Sequence, residues 1–391
     1  MRGFRLGSAF GIPVRLNWSF LVVLPFFAAF IAWDITALAA VINATFAATI
    51  DPAALAGGSL PLLLGLASAL GLFAGVLLHE FGHSLVALRY GYEIESITLW
   101  LLGGVASFEE FPEDWRHELV IAIAGPVVSV LVGVASYGAF LAVPETLDPA
   151  RFVLGYLAVL NVVLAVFNLL PAFPMDGGRV LRALLARNRP RAQATQQAAA
   201  VGKAFAFALA LIGLFANFFL ILLAFFIYVA ASGEAQQTSL KAAFEGVTVR
   251  DVMTGQERLV TVSEETSVRD LLARMFEERH TGYPVVRNDN LVGMVTLDDA
   301  GAVEDVERDA YRVADVMSSE VETITPEADA MEAFERMQRG GVGRLPVVDA
   351  GGNLVGIVSR TDLMRAFNIV QKSGPPRGLR QPSPGPEFGT R

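Results

Sequence analysis

Two histidines four residues apart, His79 and His83, flank Glu80 inside one of the most apolar stretches of this chain. On a helix, positions i and i+4 lie on the same face, so both imidazoles can bind one metal ion. Glu80 lies one residue round the helix, near enough to reach a water on that ion, and this spacing is a signature of zinc hydrolases. Because ionisable groups in apolar surroundings are costly, the motif indicates a functional metal site.

A hydrolytic zinc ion needs three protein ligands and an open position for water. The other two histidines are poor candidates, because His280 lies in a polar repeat and His117 opens an apolar span. Asp176 is the better candidate for the third ligand. Two prolines before it prevent a regular helix, and the two glycines after it let the backbone turn closely round a metal. Irregular backbone at membrane depth is tolerated only inside protein or along a wet cavity, which favours a site at Asp176.

Composition divides the chain into an apolar and a polar part. Of its 391 residues 53% are hydrophobic and 18% are charged, with a mean hydropathy of +0.49. The apolar part predicts six transmembrane helices, and the segment after the first of them (35–50) either extends that helix or lies outside the membrane. The predicted spans are about 18–33, 60–88, 119–143, 152–170 and two short spans within 198–231, split near 215–217. Residues 91–114 predict a pair of strands.

Basic residues predict the orientation of these spans. Arginines precede the first span and cluster between the fourth and fifth, whereas the opposite loops contain only Arg151. Under the positive-inside rule, both termini and the motif end of the second span face the cytoplasm. We expect no removable signal peptide, because no small-residue cleavage site follows a short apolar core. The net charge of −9 argues against nucleic-acid binding, and the absence of cysteine excludes disulfides and thiolate zinc sites.

The polar part contains an internal repeat with a period of 62 to 64 residues. Residues 252–254, 283–286 and 293–299 recur at 316–318, 345–348 and 356–362. Each unit predicts helix, strand, strand, helix, and two such units would pack against each other. The predicted domains are therefore a membrane domain at 1–235, a linker at 236–248, a tandem α/β pair at 249–370 (about 249–306 and 312–370) and a disordered, proline-rich tail at 371–391.

These motifs together resemble the site-2 protease family of intramembrane zinc metalloproteases. The resemblance rests on 79–83, on the segment from Asn168 to Gly177, and on the tandem repeat, which is similar to cystathionine-β-synthase-type (CBS) domains. It covers about residues 10 to 370. It implies His79, His83 and Asp176 as ligands of one zinc ion, Glu80 as catalytic acid and base, and Asn168 as a hydrogen-bond donor to the substrate backbone or the oxyanion. Asn168 has a second interpretation, which is that it satisfies a broken helix end. The family's Gly-Pro in its third core helix matches Gly125-Pro126, with Ser129 nearby.

The resemblance also implies adenosine nucleotide (ATP or AMP) binding at the CBS repeats. Asp299 and Asp362 would accept hydrogen bonds from ribose hydroxyls, and Thr296 and Ser359 would face phosphate. A purely structural or dimerising pair is the alternative, and a homodimer through these repeats is one expected partner arrangement.

The sequence thus predicts a polytopic α-helical membrane domain followed by a soluble tandem CBS pair. Its expected function is an intramembrane zinc endopeptidase in the cell membrane that cuts transmembrane protein substrates and is gated by nucleotide. Two other functions fit the sequence less well. A nucleotide-gated channel or transporter would need more intramembrane polar groups than the spans contain. A zinc-binding scaffold with a dead site would lack a catalytic group, and no such group is missing from this sequence.

Overall fold

The computed structural model describes residues 3–100, 103–108, 112 and 114–373. It divides into two compact units, Met1–Gln236 and Gln237–Arg391. The predicted disordered tail lies almost wholly outside the described residues, although its first three residues complete a helix that ends at Ser373.

The first unit is built from long helices and one small sheet. Most of its helices are continuous runs of apolar residues, and such helices pack against lipid or against one another. Its helices are α1 (Trp18–Trp33), α2 (Ile35–Phe46), α3 (Pro52–Leu55), α4 (Leu60–Arg89), α5 (Trp115–Ala142), α6 (Asp148–Asn168), α7 (Asp176–Ala186), α8 (Arg191–Ala216) and α9 (Phe218–Phe244), the last of which continues into the second unit. Its strands are β1 (Gly3–Ala9), β2 (Ile12–Asn17), β3 (Ile94–Trp100) and β4 (Gly103–Phe108).

Five of the described helices are long and apolar enough to cross a membrane, and a sixth span results if α1 and α2 are counted together. These two helices meet at Asp34 with a bend of 72°. The predicted break in the last apolar stretch is confirmed, because α8 ends at Ala216 and α9 begins at Phe218. The count of spans from length and composition therefore agrees with six when the bent pair is one span.

Small residues let the central helix α4 lie close to its neighbours. Gly65 faces the backbone of α1, and Gly71 and Gly75 face Leu157 and Asn161 of α6. A side chain at any of these glycines would collide with the facing helix, which is the small-residue pattern of helix pairs in membranes. Helix α4 is therefore enclosed along the face that carries the histidines, and both imidazoles are only 4% exposed.

A four-stranded sheet in the order β1-β2-β3-β4 covers one side of α4. Strands β2 and β3 are parallel, while the outer pairs are antiparallel. The predicted strand pair at 91–114 is confirmed as β3 and β4, whereas the N-terminal hairpin is a finding of the structure. Phe81 of α4 packs in one core cluster with Val14 and Ile97 of the sheet, which ties the sheet to the helix that carries the histidine motif.

The second unit contains the two repeats, each with the predicted helix, strand, strand, helix order. The first comprises α10 (Val249–Val252), β5 (Thr254–Gly255), a 3-10 turn (Gln256–Arg258), β6 (Val262–Ser263), α11 (Val268–Glu278), β7 (Gly282–Arg287), β8 (Asn290–Thr296) and α12 (Leu297–Gly301). The second comprises α13 (Val313–Val316), α14 (Ala330–Arg339), β9 (Arg344–Val348), β10 (Leu354–Ser359) and α15 (Arg360–Ser373).

The two repeats exchange their leading segments. Strand β5 of the first repeat pairs with β10 of the second, in a sheet of order β5-β10-β9. In return, Ser318 of the second repeat bridges to Met294 in β8 of the first, which belongs to the sheet β6-β7-β8. Each repeat therefore completes a sheet of the other, and the pair forms one structural unit.

Candidate metal centre

Three buried side chains from two distant parts of the chain converge on one point. The Nε2 atoms of His79 and His83 are 3.1 Å apart, and Oδ2 of Asp176 lies 3.1 Å from the first and 3.2 Å from the second. In the described part of the chain this is the one cluster of three or more acidic or histidine side chains with metal-binding geometry. A tetrahedral zinc ion with bonds of about 2.0–2.1 Å separates its ligand atoms by about 3.3 Å, close to these distances.

The hydrogen bonds around the two imidazoles fit a cation at this point. Nδ1 of His83 donates to the carbonyl of Ile121 (2.7 Å), and Nδ1 of His79 lies 2.9 Å from the hydroxyl of Ser129, which can accept its proton. With Nδ1 protonated, each neutral ring presents a lone pair at Nε2. Two lone pairs and a carboxylate oxygen then face each other, an arrangement that a divalent cation stabilises. The donor set of two nitrogens and one oxygen fits zinc and leaves a fourth position for water.

Asp176 reaches the histidines because the chain stops being helical before it. Helix α6 ends at Asn168, and α7 begins at Asp176 itself. A side chain at Gly177 would strike the carbonyls of Leu169 and Leu170, and one at Gly178 would lie 2.7 Å from the backbone of Ala172. The two glycines therefore allow α7 to pack closely against the preceding loop. The predicted backbone turn round a metal stays a prediction.

Helix α5 approaches the site through a glycine. A methyl group on Gly125 would lie 2.7 Å from Nε2 of His79 and closer still to Nε2 of His83. Because Ile121 and Ser129 on the same helix hydrogen-bond to the two rings, α5 both orients the imidazoles and leaves room at their Nε2 atoms. Gly125 is thus needed for space at the metal position.

Glu80 lies between the histidine pair and the sheet. Its side chain is half-buried, and a Cβ atom on Gly104 of β4 would lie 3.0 Å from Cδ and 3.2 Å from Oε1 of Glu80. The carboxylate also lies close enough to His83 for an electrostatic interaction. Strand β4 therefore limits the positions that the Glu80 carboxylate can take beside the histidines.

We expect Gly104→Ala to lower the cleavage rate about 10²-fold. The added methyl group would push the Glu80 carboxylate aside, and a misplacement of about 1 Å costs about that much in rate. Zinc content should not change, since the nearest atoms to the added methyl group belong to Glu80, which is not one of the three clustered ligands. Gly7→Ala is the matched control, because Gly7 lies in the same sheet with no atom within 4 Å of its added Cβ. Turnover measured on one substrate for the three proteins tests this, and equal rates for Gly104→Ala and wild type would contradict it.

The other sequence candidates lie elsewhere. Asn168 is half-buried at the end of α6, and its Nδ2 donates to the carbonyl of Leu164 (3.0 Å). His117 bonds to the hydroxyl of Tyr92 and stacks on Tyr90, and His280 is exposed in the first repeat, so neither joins the cluster. The role of Asn168 in catalysis stays a prediction, because its amide donates to the backbone of its own helix.

In the CBS repeats, the four candidate nucleotide residues form two equivalent capping boxes. The Asp299 carboxylate accepts from the backbone and hydroxyl of Thr296, and Asp362 accepts in the same way from Ser359. These bonds stabilise the first turns of α12 and α15. Both aspartates are half-buried, so each has a face open to a ligand.

Arg344 is a candidate that sequence reasoning missed. Its guanidinium crosses between the repeats and donates to the carbonyl of Gly282 (2.5 Å) and the hydroxyl of Thr281 (2.6 Å). Burial lowers the pKa of Arg344, and the nearby Asp362 opposes that shift. No sequence signal marks this position, because the corresponding residue of the first repeat is a glycine.

Arg182 was interpreted with its neighbouring arginines as part of the cytoplasmic positive flank, but it is not a solvated charge. It is only 3% exposed and bonds to Glu118 of α5 and Glu234 of α9. The hydropathy pattern could not reveal this, because the two carboxylates lie 64 and 52 residues away.

Comparison with known proteins identifies the class of this fold and site. The family model for peptidase family M50 matches residues 67–148 and 146–209, and the model for the CBS domain matches 249–300 and 313–369. A zinc metalloprotease of Methanocaldococcus jannaschii is 38% identical over 306 residues, or 77% of this chain and 84% of that protein. The Rip3 protein of Mycobacterium tuberculosis is 33% identical over 389 residues, or 95% of this chain and 94% of that protein.

A solved structure, the site-2 protease from Methanocaldococcus jannaschii, aligns with 33% identity over 60% of this chain and 95% of that chain, with a TM-score of 0.42. The chain belongs to peptidase family M50, the site-2 protease family, and carries a tandem pair of CBS domains. It is therefore a membrane zinc metalloprotease, as the sequence motifs predicted.

Proposed function

We propose that this protein is an intramembrane endopeptidase that cuts transmembrane protein substrates at a zinc ion bound by His79, His83 and Asp176. The observation that carries the proposal is the set of three buried ligand atoms 3.1–3.2 Å apart, enclosed by apolar helices and next to Glu80. The test is cleavage of a membrane-protein substrate by purified wild-type and Glu80→Gln proteins, with bound zinc measured in parallel.

The chemistry follows from the groups at this point. When bound, zinc lowers the pKa of a water at its open position to about 7 and polarises a carbonyl. Glu80 accepts the proton of the attacking water and returns it to the nitrogen of the leaving amine. Asn168 could donate a hydrogen bond to the substrate backbone or the oxyanion once substrate enters. The hydrogen bond from the Asn168 amide to the carbonyl of Leu164 must then break, so that the amide can donate to the substrate.

The sheet offers a way to hold substrate extended for attack. A peptide bond inside a helix has its carbonyl hydrogen-bonded and shielded, so the substrate must unwind before cleavage. Among the described strands, β4 has β3 as its one neighbour, and Gly104 of β4 lies against Glu80. A substrate segment added to the free edge of β4 would pass close to the catalytic carboxylate. Proline substitutions in β4 that leave cleavage intact would contradict this part of the proposal.

The proposed orientation places both termini and the CBS repeats in the cytoplasm of a multi-pass cell-membrane protein. The arginines before α1 and between α6 and α8 support this orientation, because basic residues are enriched on the cytoplasmic side. An even number of spans, six, returns the chain to the side on which it began. Protease protection of the CBS repeats in sealed cells, lost on lysis, is the corresponding measurement.

We further propose that an adenosine nucleotide binds the CBS repeats and modulates cleavage. Support comes from the half-buried Asp299 and Asp362 at equivalent positions, and from the Arg344 guanidinium between the repeats, which is suited to phosphate. Self-association through the repeats is also proposed, supported by the exposed Phe276 and Leu297 that line one groove of the first repeat. A monomer at micromolar concentration in detergent would argue against self-association.

The double variant Asp299→Asn and Asp362→Asn should lose the nucleotide effect on cleavage while keeping basal activity. Each amide keeps one acceptor for the helix cap but has lost the charge that binds ribose hydroxyls. Asp251→Asn with Asp315→Asn is the matched control, since these aspartates also form capping boxes at equivalent positions of the two repeats. Cleavage across ATP and AMP concentrations is the readout, and an unchanged response in the first double variant would contradict nucleotide binding at these residues.

A further inference from the structure

A buried ion-pair network around Arg182 joins three helices, α5, α7 and α9, and a fourth, α8, through Arg191. Arg182 of α7 donates through Nε to Oε1 of Glu118 on α5 (2.7 Å), and its Nη2 lies 2.5 Å from the same oxygen. Its Nη1 donates to Glu234 of α9. Arg191, at the start of α8, lies 3.8 Å from Glu118. Two carboxylates therefore hold one buried guanidinium, and the three helices meet at its side chain.

This network fixes the segment that carries Asp176 on both sides. Asp176 is the first residue of the 11-residue helix α7, and Arg182 lies six positions later on the same helix. The guanidinium carbon also lies 5.2 Å from the ring centre of Phe173, in the loop that leads into Asp176. One side chain thus contacts the loop before the aspartate and anchors the helix after it.

The two carboxylates differ in exposure. The Glu118 side chain is 6% exposed, whereas that of Glu234 is 36% exposed. Glu118 is therefore the permanent partner of Arg182, and the bond to Glu234 can be broken at lower cost because water can solvate its carboxylate. Glu234 lies on α9, a continuous helix to Phe244, and Phe244 packs in the core of the second repeat with Leu240.

We propose that Glu118, Arg182 and Glu234 are positioning residues for the ligand Asp176, and that Glu234 makes the geometry of the metal centre depend on the position of α9. The inference rests on the proposed zinc site. When Glu234 is paired, α7 is held between α5 and α9 and Asp176 is fixed at the histidines. When Glu234 is released, α7 is held on one side only and the ligand is less well fixed. Any event that moves α9 then changes the metal centre without touching it.

The experiment measures zinc binding by the full-length protein in detergent, without substrate. Zinc affinity is obtained by competition with a chelator of known affinity, and the visible spectrum of the Co²⁺-loaded protein reports the geometry of the three ligands. Glu234→Gln keeps the shape of the side chain and removes its charge. The matched control is Glu245→Gln, which makes the same charge change at an exposed residue just after α9.

We expect Glu234→Gln to weaken zinc binding about 10-fold and to shift the Co²⁺ spectrum, as substitutions behind metal ligands do, while Glu245→Gln matches wild type. Arg182→Gln should weaken binding further, but it also leaves Glu118 buried without a partner and can impair folding, so the milder Glu234 variant decides. Wild-type affinity and spectrum in Glu234→Gln would overturn the inference and leave the zinc site intact. Wild-type protein that binds no zinc would overturn the proposed function, and the inference with it. Equal losses in Glu234→Gln and Glu245→Gln would also overturn it, because the effect would then be one of net charge.

Discussion

Glu80→Gln is expected to abolish proteolysis and to leave zinc bound. The amide has nearly the same shape as the carboxylate, and Glu80 is not one of the three clustered ligands, so the metal centre keeps its three ligands. It cannot accept the proton of the attacking water, and loss of general acid–base catalysis costs about 10²- to 10⁴-fold in rate. Single-turnover cleavage of a membrane-protein substrate, with zinc measured on the same samples, gives both quantities.

The control for this prediction is Glu93→Gln, the same chemical change at an exposed residue just after α4. It should match wild type in both rate and zinc content. A Glu80→Gln protein that cleaves within about threefold of wild type would contradict a role for Glu80 as the proton acceptor, since that role predicts at least about 10²-fold.

Gly125→Val is expected to remove zinc from the protein. The Cβ of the new side chain would lie 2.7 Å from Nε2 of His79, and closer to Nε2 of His83, so it would occupy the space that the ligand atoms need. The new valine lies on α5, and a backbone carbonyl of α5 accepts a hydrogen bond from His83. Helix α5 therefore cannot move away from the site without disturbing that imidazole. Zinc affinity should fall by more than the roughly 100-fold upper range of substitutions behind metal ligands. Cleavage should fall with it.

Gly138→Val is the matched control because Gly138 lies on the same helix and its added Cβ meets no atom within 4 Å. Any general effect of valine on helix α5 appears in both variants, whereas loss of zinc should appear only at position 125. If both variants retain zinc equally well, α5 does not approach the histidines as described.

The convergence of His79, His83 and Asp176 could be predicted from the sequence for two physical reasons. The i, i+4 spacing of His79 and His83 specifies a shared helix face whatever the tertiary structure. Asp176 is 97 residues from His79, but the prolines and glycines around it mark irregular backbone, which membrane depth tolerates only inside protein or along a wet cavity. The hydropathy pattern likewise identified the break between α8 and α9.

The features that sequence reasoning missed have no local signal in the sequence. The hairpin of β1 and β2 turns at Phe10 and Gly11, both with positive φ, and this pair lacks the Asn-Gly or Asp-Gly signal of such turns. Its arginines were interpreted only as a membrane flank. The burial of Arg182 was missed for the same reason, because a buried ion pair between helices has no local signature. The closeness of Gly125 to the imidazoles likewise depends on how α4 and α5 pack.

X-ray absorption on the intact protein, combined with metal analysis, tests the zinc centre most directly. The account predicts one zinc ion per chain, bound by two imidazole nitrogens and one carboxylate oxygen at about 2.0–2.2 Å, with water in the fourth position. His79→Ala or Asp176→Ala should remove the ion. A protein that cleaves its substrate without stoichiometric zinc, or a zinc shell that is unchanged when Asp176 is replaced, would contradict the assignment of these three residues as its ligands.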